Sequence, residues 1–282
     1  MIPAEFDYVA PDSLEEVIRA LSDGGEDAKL LAGGHSLLPL MKLRLAAPAL
    51  LVDLRKVAGL RGIERANGEW RIGALTPHAE LEHSPELGVV SVAAGTIADP
   101  QVRNRGTIGG SLAHGDPASD LPAVMLVTEA SVTLQGPQGQ RSVPAAELFR
   151  NYLETAVAPD EVLTQVHLPA LDGWGFGYQK FNRRSEDWAM VGVSAVVKAP
   201  GGQVEDVRVG LTNMAPVPLR ALAVEEELRG SALDAVSIGT AAELAAEGTD
   251  PPADLNASSD YKRHLARVLT RRALEQAAGL AS

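Results

Sequence analysis

The sequence contains no cysteine. That absence excludes thiolate-held iron–sulfur clusters, zinc ribbons, disulfides and a cysteine nucleophile from this chain. Aromatic residues are scarce, 4% of 282 positions with three tryptophans, so each is a candidate for a specific role. Positive charge is also short. The 37 acidic and 25 basic side chains leave a formal net charge of −12, which repels a phosphate backbone and argues against nucleic-acid binding. The densest basic stretches are Arg183-Arg184 and the group Lys262, Arg263, Arg267, Arg271 and Arg272. The second group falls at helical spacing among Leu265, Val268 and Leu269 and reads as a solvated helix face. The histidines (His35, His78, His83, His114, His167 and His264) form no HExxH or similar metal spacing. Redox chemistry here therefore needs an organic cofactor, and a metal centre needs another chain.

Long hydrophobic runs are missing too. A membrane helix takes about 20 mostly apolar residues, and the best candidate, 37–51, is interrupted by Pro39, Lys42, Arg44 and Pro48. The opening Met1-Ile2-Pro3-Ala4-Glu5-Phe6-Asp7 lacks the basic start and apolar stretch of a leader, so a cytoplasmic location is expected. With 45% hydrophobic and 22% charged residues, the chain has the composition of an ordinary folded protein rather than a disordered one.

Within that frame the sequence reads as α+β. Residues 11–23 carry a helix start, with Asp12 or Ser13 as cap, Glu15 and Glu16 in the first turn, and a Leu14, Val17, Ile18 and Leu21 stripe. A strand at 28–32, a helix near 39–44 and strands at 50–54 and 70–74 follow. A short helix at 77–81 and a small-residue helix at 89–98 come next. Strands at 132–135 and 141–143 flank Gly136-Pro137-Gln138-Gly139, a hairpin signal. Another strand at 162–168 precedes the Gly/Pro-rich segment 169–175. Three strands (176–181, 191–198, 204–212) and three helical patterns (219–228, 232–246, 261–278) then suggest a second, smaller α+β domain.

Two glycine-rich loops stand out. Ala32-Gly33-Gly34-His35-Ser36-Leu37 lies between a strand and a helix. Glycines there permit positive φ and let backbone N–H groups turn towards an anion; a tight turn without a ligand is the bland alternative. Asn104-Arg105-Gly106-Thr107-Ile108-Gly109-Gly110-Ser111 repeats the device. Two such loops suit a ligand with two phosphates, although neither fits the GxGxxG or P-loop pattern. In His114-Gly115-Asp116-Pro117-Ala118-Ser119-Asp120, Asp120 is a plausible acceptor for ribose hydroxyls, Asp116 reads as a turn former and His114 as a structural histidine.

The pairing of Ala32-Gly33-Gly34-His35-Ser36-Leu37-Leu38-Pro39 with Arg103-Asn104-Arg105-Gly106-Thr107-Ile108-Gly109-Gly110 resembles the FAD-binding medium subunits of molybdenum hydroxylases. That group includes the carbon monoxide dehydrogenase flavoproteins and the FAD-binding parts of xanthine dehydrogenases. The likeness extends over nearly the whole chain, including Ile2-Pro3, Phe6-Asp7-Tyr8, His114-Gly115-Asp116-Pro117 and Leu211-Thr212-Asn213-Met214-Ala215-Pro216.

The resemblance implies a two-part FAD-binding domain of the vanillyl-alcohol-oxidase/PCMH type at 1–172. A small C-terminal domain at 175–282, a three-stranded antiparallel sheet with helices, would follow. It implies FAD, its pyrophosphate held by the loops at 32–36 and 107–111, with Leu37, Thr107, Ile108, Gly109, Gly110 and Ser111 among the contacts. Asp120 would bind the adenosine side, Ile97 would line the cofactor, and Lys180 and Trp188 would lie near the isoalloxazine ring. Ser111 departs from the Asn or Asp common at its position in the family, which leaves its hydrogen bond unassigned. The lysine would stabilise an anionic reduced ring and the tryptophan would stack or pack.

No catalytic group beyond the flavin and no metal ligand are implied for this chain. The implied partners are an iron–sulfur small subunit and a molybdopterin-binding large subunit, in a dimer of heterotrimers. Electrons would pass from the partner's clusters through the flavin to NAD, oxygen or a quinone. Two other readings remain open on the residues alone: a self-sufficient flavin oxidoreductase of the same class, and a non-redox nucleotide-binding interaction module.

Overall fold

The computed structural model describes residues 2–280. Met1 of the leader reading and the last two residues of the expected C-terminal domain lie outside the described residues.

Four sheets form among the described residues, and three of them organise the fold, the fourth being the short pair Phe149–Asn151 and Glu154–Thr155. The N-terminal sheet is parallel, with Leu50–Asp53 between Asp7–Val9 and Ala28–Leu31. Parallel neighbours need a crossover, and the helix Leu14–Gly24 supplies the first. The Ser13 hydroxyl caps it by accepting the Glu16 N–H at 3.3 Å, and Glu15 and Glu16 occupy the positive end. Val17, Ile18 and Leu21 turn inward onto a cluster with Ala28, Val52 and Leu54. The second crossover is the first glycine loop and the short helix Leu37–Lys42.

The central sheet is antiparallel throughout, in the order Ile63–Ala66, Glu69–Gly73, Val162–Pro169, Ser131–Gly136, Gly139–Pro144. Its first strand was not expected. It is joined to the second by Asn67-Gly68, both at positive φ (53° and 80°), the pair that suits a tight hairpin. The helices Val89–Gly95, Ile108–His114 and Asp120–Val127 share the core of this sheet. Asp120–Val127, where no helix was expected, is buried at Asp120–Met125 and Val127. A helix with so little open surface must lie between two layers, and this one does.

The second layer is the C-terminal sheet, in which Gly175–Phe181, Val191–Lys198 and Asp206–Thr212 run antiparallel. The expected three strands become four. Leu219–Arg220, read from sequence as the start of a helix, pairs with Gly210 and Leu211, and the helix begins only at Leu222. Pro216 and Pro218 keep the bend that precedes this strand out of a helix, and Leu219 emerges from that bend at the sheet edge. One face of this sheet packs on Asp120–Val127. The other lies under Ser259–Ala277, whose Leu265, Ala266, Leu269, Ala273 and Leu274 close the C-terminal core. Lys262 corrects the reading of that helix's basic residues as a solvated face. Its side chain is fully buried, with the ammonium 2.7 Å from Asp254, because its methylene stem lies in the core and its head reaches a loop carboxylate. Arg263, Arg267 and Arg271 do pair at the surface, with Asp260, Glu243 and Glu275. Among the described residues no helix is long and apolar enough to cross a membrane.

Candidate functional site

A cavity of about 650 Å³ opens where the carboxyl end of strand Ala28–Leu31, the helix Ile108–His114 and the C-terminal sheet converge. The carboxyl end of a parallel strand is where an open sheet offers its loops to a ligand, and the volume suits a small-molecule site. Ala32, Gly33, Gly34, His35, Ser36, Leu37, Ile97, Thr107, Gly109, Gly110, Ser111, Asp120, Lys180 and Trp188 all line it. Residues 150 positions apart in the chain thus meet in one hollow.

The first loop offers donors. Gly34 takes the left-handed conformation, φ 80°, which an L side chain adopts only under strain. Leu38 and Leu40 donate back to the Gly34 and Ser36 carbonyls at 3.1 and 3.3 Å. Among the described residues, no acceptor takes the N–H of Gly33, Gly34, His35 or Ser36. Consecutive unclaimed N–H groups beside a cavity make a concave positive surface suited to an anion.

The second loop works differently from expectation. Ile108 donates to the Thr76 carbonyl at 3.1 Å, Gly109 to Ala74 at 2.9 Å, and Gly110 and Ser111 to the Thr107 hydroxyl and carbonyl at 3.2 and 3.0 Å. Its amides are engaged within the protein, so it forms a wall rather than a second set of open donors. Ile108, expected among the cofactor contacts, is not among the residues that line the cavity, and its side chain is wholly buried in the central core. Thr107, Gly109, Gly110 and Ser111 carry the cavity surface on this side.

At the junction of the two domains, Lys180 donates to Asp120 Oδ2 at 3.0 Å and to the Thr96 carbonyl at 3.1 Å. Tyr178 donates to Asp120 Oδ1 at 2.6 Å. The Lys180 and Asp120 side chains are each only 5% exposed. Burial pushes the Asp120 carboxyl up from its usual range, opposed by the Lys180 ammonium beside it. Burial also lifts the Tyr178 phenol well above its ordinary value, and the Asp120 charge adds to this, so the phenol keeps its proton and remains a donor. Asp120, expected as an acceptor for the adenosine ribose, lines the cavity. Both of its oxygens already accept from the C-terminal domain. It also touches Lys180, so the two present their polar atoms at one place in the cavity.

Trp188 stands on the excursion between Phe181 and Val191, 54% exposed at the cavity rim rather than in the domain's core. Ile97 lies in a bend whose carbonyl, with that of Ala98, accepts from the Arg103 guanidinium at 2.9 and 3.1 Å; Arg103 is also paired with Glu82 at 2.7 Å. Asp116 does fix a turn, accepting the Ala118 N–H at 2.8 Å.

Sequence reasoning missed Tyr178, Arg103 and His78. Tyr178 had a signal, because residues two apart on a strand share a face and Lys180 was already in view. His78, the first residue of the helix His78–Glu82, is 5% exposed and lines the cavity. Burial, with His35 and Arg103 nearby, lowers its pKa to about 4. A histidine with a depressed folded pKa binds its proton more readily in the unfolded chain, so stability falls as pH drops from 6.5 towards 4. The ligand-free chain is expected to lose about 2 kcal/mol from this residue between pH 7 and pH 5. Urea unfolding at the two pH values checks this. An equal drop in His78→Leu would show that other groups cause it.

Comparison with known proteins accords with this geometry. A family model described as the FAD binding domain in molybdopterin dehydrogenase matches residues 4–171, and one described as the CO dehydrogenase flavoprotein C-terminal domain matches 176–277. The carbon monoxide dehydrogenase medium chain of Hydrogenophaga pseudoflava is 43% identical over 98% of both chains. The 6-hydroxypseudooxynicotine dehydrogenase complex subunit alpha of Paenarthrobacter nicotinovorans is 40% identical, over 98% of this chain and 96% of its own. A solved structure of the carbon monoxide dehydrogenase of H. pseudoflava matches 100% of both chains with a TM-score of 0.96.

Proposed function

Because the chain belongs to the FAD-binding medium subunits of molybdenum hydroxylases, we propose that it holds one FAD in the interdomain cavity and relays electrons from a partner subunit's iron–sulfur clusters to an external acceptor. The observation that carries this is the run of unclaimed N–H groups at Gly33–Ser36, in a loop that lines a cavity shared by both domains. Those donors suit a diphosphate, and Gly34 supplies the left-handed turn of the backbone that carries them.

Bound there, the flavin supplies the redox chemistry, and the chain's own groups bind and orient it. The donors of the first loop hold the diphosphate, and Thr107, Gly109, Gly110 and Ser111 form the opposite wall. Lys180 has three N–H bonds and gives two of them to Thr96 and Asp120, which leaves one for a ring carbonyl or nitrogen. Its charge is fixed in a poorly hydrated place, where it favours an anionic ring. Trp188, exposed at the rim, covers an aromatic surface and excludes water, and Ile97 adds an apolar contact.

The finer reading keeps the vanillyl-alcohol-oxidase/PCMH type for the first domain, with boundaries at 1–172 and 175–282, which agree with the spans of the two family matches. The relatives' names as medium chains and complex subunits support a multi-subunit assembly; the reading keeps for it a small iron–sulfur chain and a large molybdopterin-binding chain, in a dimer of heterotrimers in the cytoplasm.

Titrating the full-length chain with FAD tests the reading. Stoichiometric uptake with absorption at about 450 nm is expected, and Trp188→Leu should weaken binding roughly three- to tenfold, the value of an aromatic contact. A chain that folds and takes up no FAD would sink the assignment.

A further inference from the structure

His78 makes no hydrogen bond through its side chain among the described residues, although its surroundings are almost closed. Its Nδ1 is buried without any partner. The ring edge carrying Cδ2 and Nε2 lies against the second glycine loop. A Cβ built on Gly106 would stand 2.8 Å from Cδ2 and 3.1 Å from Nε2. The backbone fixes this approach, because the His78 N–H donates to the Gly106 carbonyl at 2.9 Å and Pro77 bridges Thr107. The ring lines the same cavity as the open donors of the first loop.

Elementary chemistry then selects one arrangement. With a pKa lowered to about 4, the imidazole is neutral at ordinary pH and carries a single N–H. Were that proton on Nδ1, a buried donor would have no acceptor, which folded proteins avoid more strictly than an unfilled acceptor. The proton therefore belongs on Nε2, on the ring edge beside Gly106, another residue of the cavity lining. The charged and titratable groups acting on the ring are His35 on the first loop and Arg103, itself paired with Glu82. A lone N–H donor in nearly closed surroundings suits an anionic acceptor, with which it makes the stronger, charge-assisted bond.

We infer that His78 is a cofactor-binding residue whose Nε2–H donates to a phosphate oxygen of FAD in the cavity beside Gly106. The inference rests on the cofactor reading above and adds a side-chain donor on the wall where the backbone amides are already engaged. It also gives a physical reason for an unpartnered histidine in an otherwise well-packed place.

The test uses the full-length, flavin-free chain titrated with FAD, followed by flavin fluorescence, beside the thermal midpoint of the unliganded protein. Removing a hydrogen bond to a charged group should raise the dissociation constant of His78→Leu roughly ten- to a hundredfold. Its unliganded midpoint should stay level or rise, because an unsatisfied buried nitrogen has gone. His78→Gln, which keeps an N–H donor, should recover part of the affinity. Unchanged affinity in His78→Leu overturns the inference, and so does a loss that merely tracks a fall in the unliganded midpoint, which would make the ring a packing element. A parent chain that takes up no FAD sinks the cofactor reading itself, a distinguishable result. Ring nitrogen NMR of the parent requires no variant: a proton on Nε2 that shifts on adding FAD is expected, and a proton on Nδ1 would refute the assignment.

Discussion

Asp120→Leu is expected to lower the thermal midpoint of the chain by roughly 10 °C, from a loss of about 3–5 kcal/mol. The size follows from what is stranded rather than from what is removed. Lys180 and Asp120 are nearly closed off from water and lie 3.0 Å apart, and two groups of the C-terminal domain, Lys180 and Tyr178, converge on this one carboxylate. Without it, an ammonium and a phenol stay in a poorly solvated junction with only the Thr96 carbonyl as acceptor for Lys180. An isolated buried charge costs far more than the pair contributes to stability. The double variant Asp120→Leu with Lys180→Met should therefore recover most of the lost midpoint, because an apolar pair of similar bulk fits where an ion pair stood. Calorimetry of the parent, both singles and the double gives the coupling directly. A single Asp120→Leu variant melting within about 2 °C of the parent would mean the pair is solvated in solution and the junction looser than described.

The same junction explains what could and could not be read in advance. Elements whose causes are local were legible. The helix at Leu14–Gly24 came from its cap and its stripe, the hairpin around Gly136–Gly139 from its turn residues, and both glycine loops from their composition. The hairpin at Ile63–Gly73 had a local cause as well, in Asn67-Gly68, but its alternation is faint because Glu64 and Arg65 are neighbouring charges. What depends on distant partners was hidden. Nothing near Leu219 announces that Gly210 and Leu211 wait to pair with it. Nothing near Lys262 announces Asp254 and a closed pocket around the stem. In the site, the motif carried Ile108 along with its neighbours although its side chain serves the core, and it could not announce the bonds that Asp120 accepts from Tyr178 and Lys180, which lie 58 and 60 positions away. His78 belongs to no motif at all. Its significance lies in a missing hydrogen bond, which only the packed structure reveals.

Gly33→Val should reduce FAD affinity at least about a hundredfold, the equivalent of losing one or two hydrogen bonds to a charged group. A Cβ at this position would overlap the Arg105 carbonyl and lie 2.8 Å from the Gly106 Cα. Two backbones touch here, so neither neighbour can rotate out of the way as a flexible side chain would. The first loop must then move away from the second. The donors at Gly33–Ser36 and the wall at Thr107–Ser111 would separate, although each loop kept its own hydrogen bonds. Gly110→Val is a poorer probe, since its Cβ would stand 2.8 Å from the Thr107 hydroxyl that caps the helix and would mix two effects. Gly59 provides the contrast. It also has positive φ, 79°, but nothing lies within 4 Å of a Cβ there, so Gly59→Ala should cost about 1 kcal/mol of backbone strain and leave FAD binding alone. Titrating the three proteins with FAD separates the two kinds of glycine. Should Gly33→Val bind flavin as tightly as Gly59→Ala, the contact between the loops would be incidental, and the diphosphate would have to be held by some other part of the cavity.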